Sequence, residues 1–195
     1  MQPGEQGISG LGPEAKAQRD MTSLRLRGIG LAAALVLATG AWAQESTNQV
    51  AAQTDWSVFT GDSPKECWAV TAPKETVNTR DGRTVSVRRG DILLFVSYRP
   101  EAGVSGEVSF TGGYPFAEGS TVSLEVGENS FELFTVGEFA WAASEGDDAR
   151  IVAALKRGTN AILTARSARG TQTRDTFSLL GATAMIEDAE KRCAS

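Results

Sequence analysis

The sequence predicts a mainly β protein: an antiparallel, immunoglobulin-like β-sandwich with one internal helix and a C-terminal helix. Three observations carry this. Between Trp56 and Phe134, short apolar or alternating segments recur between turn residues, the rhythm of an antiparallel sandwich or barrel. From Ser144 the apolar spacing lengthens to that of a helix. It does so again at the end of the chain, where Ala182, Met185, Ile186, Ala189 and Cys193 share one face.

The segments follow in order. Residues 1–20 carry no hydrophobic period and read as an extension ahead of the true start at Met21. Arg25 and Arg27 then precede an apolar run over 29–38, which ends at Ala41-Trp42-Ala43, the small-residue pattern of a cleavage site. Residues 21–43 are therefore expected to be a signal peptide cut before Gln44. The run is shorter than the roughly 20 residues a spanning helix needs, so the mature chain should hold no transmembrane segment. The expected location is the periplasm or the medium beyond it. Residues 44–55 are polar and read as a flexible lead-in to a domain covering 56–195.

Within that domain, strands are expected at Trp56-Ser57-Val58-Phe59 and at Cys67-Trp68-Ala69-Val70-Thr71. They flank the turn Gly61-Asp62-Ser63-Pro64, and Pro73 ends the second. Asp81-Gly82 is a hairpin signal before residues 84–87, whose alternation turns Val85 and Val87 inward. Residues 92–96 are apolar throughout and are expected to form a central strand buried on both faces. Val108-Ser109-Phe110 is a short strand, and 122–126 pairs with 131–133 in a hairpin. Ser144 caps a helix with Asp147 three residues on, Ile151, Ala154 and Leu155 share its face, and Lys156-Arg157-Gly158 closes it. Strands over 161–165 and 176–179 lead to the final helix.

The 195 residues include no histidine and two cysteines. Ser-His-Asp and Cys-His hydrolases, histidine-ligated metal sites and four-thiolate zinc sites all need residues the chain lacks. Nineteen basic against 24 acidic residues, a net charge of −5, runs against a nucleic-acid partner, which asks for a basic footprint. Removing residues 1–43 leaves 15 basic and 21 acidic residues, so the acidic balance deepens to −6. An oxidising compartment favours a bridge between Cys67 and Cys193, tying the front of the domain to its last helix. Two free thiols or a bridge between chains are the alternatives.

The chain resembles the invasion-associated locus B family of small exported proteins from alphaproteobacteria. The resemblance rests on Trp56-Ser57-Val58-Phe59, Glu66-Cys67-Trp68-Ala69-Val70, Val87-Arg88-Arg89-Gly90-Asp91-Ile92, and Thr176-Phe177-Ser178-Leu179-Leu180-Gly181 leading into the helix that ends at Cys193. It spans residues 56–193 and implies an exported β-sandwich whose namesakes are associated with host-cell entry. It carries over no catalytic residue and no cofactor. The commoner pattern places a cysteine just after the opening Trp-x-Val, where this chain has Phe59.

Four groups of residues invite a functional reading. Arg80, Arg83, Arg88, Arg89 and Arg99 form a basic stretch in an acidic protein, suited to an anionic lipid, glycan or acidic partner, although arginines alternating along strands also simply solvate outer faces. Thr111-Gly112-Gly113-Tyr114-Pro115-Phe116 is an aromatic turn, either the tip of a recognition loop or rings covering a sheet end. The partner surface is thus expected to include Arg80, Arg83, Arg88, Arg89, Tyr114 and Phe116. Glu145, Asp147 and Asp148 suit a helix N-terminus better than calcium. Gly103-Val104-Ser105-Gly106 lacks the G-x-S-x-G spacing of a nucleophile elbow, and no histidine exists to serve as its base. No catalytic, metal or cofactor residue emerges. The expected function is non-enzymatic recognition of a protein, glycan or envelope component, with a chaperone-like envelope-maintenance role as the alternative.

Overall fold

The computed structural model describes residues 48–194. The expectations for 1–43, and the first residues of the lead-in, lie outside the described residues. The strands are β1 (Gln49–Gln53), β2 (Trp56–Asp62), β3 (Lys65–Thr71), β4 (Glu75–Arg80), β5 (Arg83–Thr84), β6 (Leu93–Arg99), β7 (Val104–Thr111), β8 (Thr121–Val126), β9 (Asn129–Val136), β10 (Phe139–Trp141), β11 (Asn160–Arg166) and β12 (Gln172–Ser178). Helix α1 (Glu145–Arg157) precedes β11, and α2 (Ala182–Ala194) closes the described chain.

All pairings are antiparallel, in the order β1-β2-β3-β6-β7-β10-β9-β8-β11-β12-β4-β5. This one sheet turns back on itself into a sandwich-like fold. Phe110 of β7 meets Phe177 of β12 edge-on at 6.1 Å between ring centroids, and the Trp56 indole of β2 donates to the Ser178 carbonyl at 3.0 Å. Helix α2 packs against β2, β3 and β6, burying Met185, Ile186 and Ala189. Each large aliphatic side chain removed from water in this way contributes about 1.5–3 kcal/mol. Cys67 of β3 and Cys193 of α2 are bonded, with their Cα atoms 5.8 Å apart.

Local chemistry explains most elements. Asp81 and Gly82 both have positive φ, 50° and 72°, the backbone of a primed hairpin turn between β4 and β5. Ser144 adopts an extended conformation and its hydroxyl oxygen accepts the Asp147 N–H, as an N-cap should. Strand β10 pairs with only Ser109, Phe110 and Thr111 of β7; the Val108 N–H beyond it is taken by the Asp148 carboxylate of α1 at 2.8 Å.

The structure departs from the sequence expectations in four places. The lead-in is shorter, because Gln49–Gln53 is a strand laid along β2 as one edge of the sheet. Strand β4 has one apolar residue, Val77, and pairs with β12 through its backbone. The strand expected over 84–87 stops at Thr84, after which residues 85–92 run across the open end of the sandwich, leaving Val85 and Val87 half-buried. Strand β6 is buried on one face only: Leu94, Val96 and Tyr98 point into the core, while Leu93, Phe95 and Ser97 are half-exposed because no second layer covers them.

Candidate functional site

The segment that crosses the sandwich end helps to line a cleft. The Gly90 N–H donates to the Gly113 carbonyl at 2.9 Å, joining the crossing segment to the aromatic turn. Gly113 has φ +71°, and a Cβ there would stand 2.6 Å from the Gly90 oxygen, so only glycine permits this approach. The contact delivers Arg89 into the interior. Its guanidinium donates to both oxygens of Asp175 on β12 at 2.7 and 2.6 Å, its Nε to the Gly112 carbonyl at 2.8 Å, and it lies 5.0 Å from the centre of the Tyr114 ring. The two side chains are 6% and 0% exposed, so the pair is internal. Burial pushes the Asp175 carboxyl above its usual range, and the Arg89 bonds pull it only part of the way back.

Around this floor lies a cleft of about 460 Å³, lined by Arg80, Arg88, Tyr114 and Arg169 among others. The Tyr114 hydroxyl shares a hydrogen bond of 2.5 Å with Thr173, and burial, the dominant cause, raises its pKa. Arg80 donates to Thr171 at 2.6 Å. Arg88 and Arg169 have no ion pair or side-chain hydrogen bond, and Glu138 is the one carboxylate in the lining. Three arginines outside the Asp175 pair therefore face one acid across a shared space in a protein of net charge −5. Such an arrangement focuses positive potential and suits an anionic group.

The expected partner surface is thus gathered in part. Arg80, Arg88, Arg89 and Tyr114 meet at the cleft. Arg83 sits on the edge strand β5 outside its lining. Phe116 is not a contact surface: it is 6% exposed, packed against Phe110 and Tyr114 at 6.0 and 5.3 Å, and its aromatic character serves the core. Arg99 is elsewhere, paired with Glu107 at 2.7 Å. Arg169 escaped the sequence reading because it stands alone in the turn between β11 and β12. Its one visible signal was a charge beside Gly170.

The acidic cluster at α1 serves the helix. Asp147 accepts from the Ser144 hydroxyl at 2.8 Å and pairs with Arg150, which holds its carboxyl below the ordinary range, with the Ser144 bond the larger cause. Asp148 is buried and raised, chiefly by desolvation. Ser105 is exposed on β7 with no base bonded to it. Among the described residues no three Cys, Asp or Glu side chains gather as a metal site, and no helix is long and apolar enough to cross a membrane. No protein-family model matches the chain, and neither a curated protein nor a solved structure matches it.

Proposed function

We propose that this chain is an exported, non-enzymatic binding module of the invasion-associated locus B kind, taking an acidic group of a protein, glycan or envelope component in its basic cleft. The observation that carries the proposal is the pair Arg88 and Arg169, which face the cleft with no carboxylate partner. Clustered guanidinium groups repel one another, so the arrangement adds nothing to stability and favours an anion. The motif resemblance over residues 56–193 supports the family reading, and the charged n-region with its apolar run supports export. The test is crosslinking and affinity capture from the native host envelope with wild-type protein and the Arg88→Ala/Arg169→Ala variant. Wild type should recover a partner at low salt, less at moderate salt, and the variant none. Recovery of no partner at either salt counts against the reading.

The alternative, a chaperone-like envelope role, draws on the exposed side chains of Phe134, Val136 and Phe139. The free edges favour it less, because β5 has two residues and β1 five. Suppression of aggregation of an unfolded client, undiminished in the arginine variant, would favour this alternative.

A further inference from the structure

Beneath the basic cleft the interior of the sandwich is polar. Thr171, just ahead of β12, and Thr173 and Asp175 on it occupy alternate positions, so all three point inward, about 7 Å from one to the next. They are 4%, 1% and 0% exposed. Farther along the same row Phe177 is apolar and packs on Phe110. Inward polar groups cost free energy unless each finds a partner, and here each partner comes from a different segment. Arg80 of β4 donates to Thr171, Tyr114 of the turn after β7 bonds Thr173, and Arg89 of the crossing segment holds Asp175. An apolar row would fill the same space with no need of such partners. The polar end of the row is the one that opens into the cleft, where Thr171 and Thr173 belong to the lining.

Among the side chains lining this end, donors outnumber acceptors. Ser167 is buried and its hydroxyl oxygen accepts the Thr171 N–H, as the Thr171 hydroxyl oxygen accepts from Arg80. Neither hydroxyl has an acceptor for its own proton among the described residues. The Tyr114–Thr173 pair spends one proton on the bond between them and has a second over. Guanidinium groups only donate, so a ligand here must accept far more than it donates. Charge then selects among oxyanions. Arg80, Arg88, Arg89 and Arg169 stand against Glu138 in the lining and Asp175 beneath it, which leaves two positive charges. A carboxylate cancels one of them. A phosphate monoester carries close to two negative charges at neutral pH and offers three acceptor oxygens to forked donors. The cleft, about 460 Å³, has room for more than an ion, since pockets of about 300–1,000 Å³ hold whole small molecules. Resting on the anion-binding reading of this cleft, we infer that it takes a phosphate monoester borne on a group the size of a sugar, with the phosphoryl oxygens held by Arg88 and Arg169.

The probes are glucose 6-phosphate, glucuronate, which carries a single carboxylate on the same sugar frame, and inorganic phosphate, each titrated into the purified protein by calorimetry at neutral pH. Glucose 6-phosphate should bind saturably, about tenfold or more tighter than glucuronate, and should weaken as salt is raised. Arg88→Ala/Arg169→Ala should weaken it about a hundredfold, two charged hydrogen-bonding groups at about tenfold each. Glu138→Gln removes the opposing charge and should tighten it about threefold, a gain that no loss of folding can imitate. All three altered side chains are exposed, and melting curves check that both variants fold. Glucuronate binding as tightly as glucose 6-phosphate, with both lost in the double arginine variant, overturns the inference and leaves the anion-binding reading standing. Inorganic phosphate binding as tightly as the sugar ester overturns the sugar part and assigns the cleft to the free ion. No saturable response to any of the three by natively melting protein overturns the inference outright, and arginine-dependent capture of an envelope partner then decides the anion-binding reading on its own.

Discussion

Arg89 shows how misleading a charged residue is in isolation. In sequence it belongs to a basic run; in the fold it is an internal strut whose donors are spent on Asp175, Gly112 and Asn78. Removing one member of such a pair strands the other charge in a dry site, at a cost of about 3–5 kcal/mol. Arg89→Met should lower stability by that amount in urea unfolding at neutral pH, and Arg89→Met/Asp175→Leu should recover part of it. The penalty should shrink on acidification, because Asp175 escapes its unpaired charge by taking a proton. Asp148 permits a cleaner pH test. Its folded pKa lies above the ordinary 3.8, so the native state holds its proton more tightly than the unfolded chain. Falling pH through that raised value therefore favours the fold. Asp148→Asn keeps an acceptor for the Val108 N–H without the buried charge. Its melting temperature should equal or exceed that of wild type at neutral pH, and the difference should narrow as pH falls toward 3.8. A difference independent of pH would show that Asp148 does not titrate above the unfolded chain.

The elements most legible in sequence were those whose side chains meet the core on a regular period. Strands β2 and β3, the β8–β9 hairpin and both helices follow their apolar patterns, and Ser144 marked the start of α1 because an N-cap is a local interaction. Strands β1, β4 and β10 were not legible. They are held by backbone hydrogen bonds to neighbours already in the sheet, and such bonds leave no periodic trace. The Cys67–Cys193 bond ties two legible elements, α2 and β3, across a sequence separation of 126. Closing a loop of that length restricts the unfolded chain by about 4–5 kcal/mol in the chain-entropy account. Cys67→Ala/Cys193→Ala should accordingly unfold at markedly lower urea, with a stability loss of about 2–5 kcal/mol. An unchanged midpoint would mean that packing alone holds α2 against the sheet.

For the molecule as a whole, the proposed export makes one direct prediction: mass spectrometry of protein recovered outside the cytoplasm should find a chain that begins at Gln44 and lacks two hydrogens. A chain retaining residues 21–43 would oppose cleavage. Half of the candidate cleft was visible as a cluster of arginines near an aromatic turn, yet its meaning depended on which charges found partners. Pairing is a matter of distance: Arg89 and Asp175 are 86 residues apart in the chain and in contact in the fold. The outward side of β6 was hidden for a related reason. Phe95 sits in an apolar run that reads as doubly buried, and only the absence of a second layer turns one side of β6 outward. Composition, periodicity and caps thus established the β-rich class, the two helices and the missing histidine chemistry, because these depend on residue identity and near neighbours; the fold decided between a Cys67–Cys193 bond and its alternatives. The tertiary structure alone decided which arginines remain unpaired and which rings face water, because both depend on how distant strands close over one another.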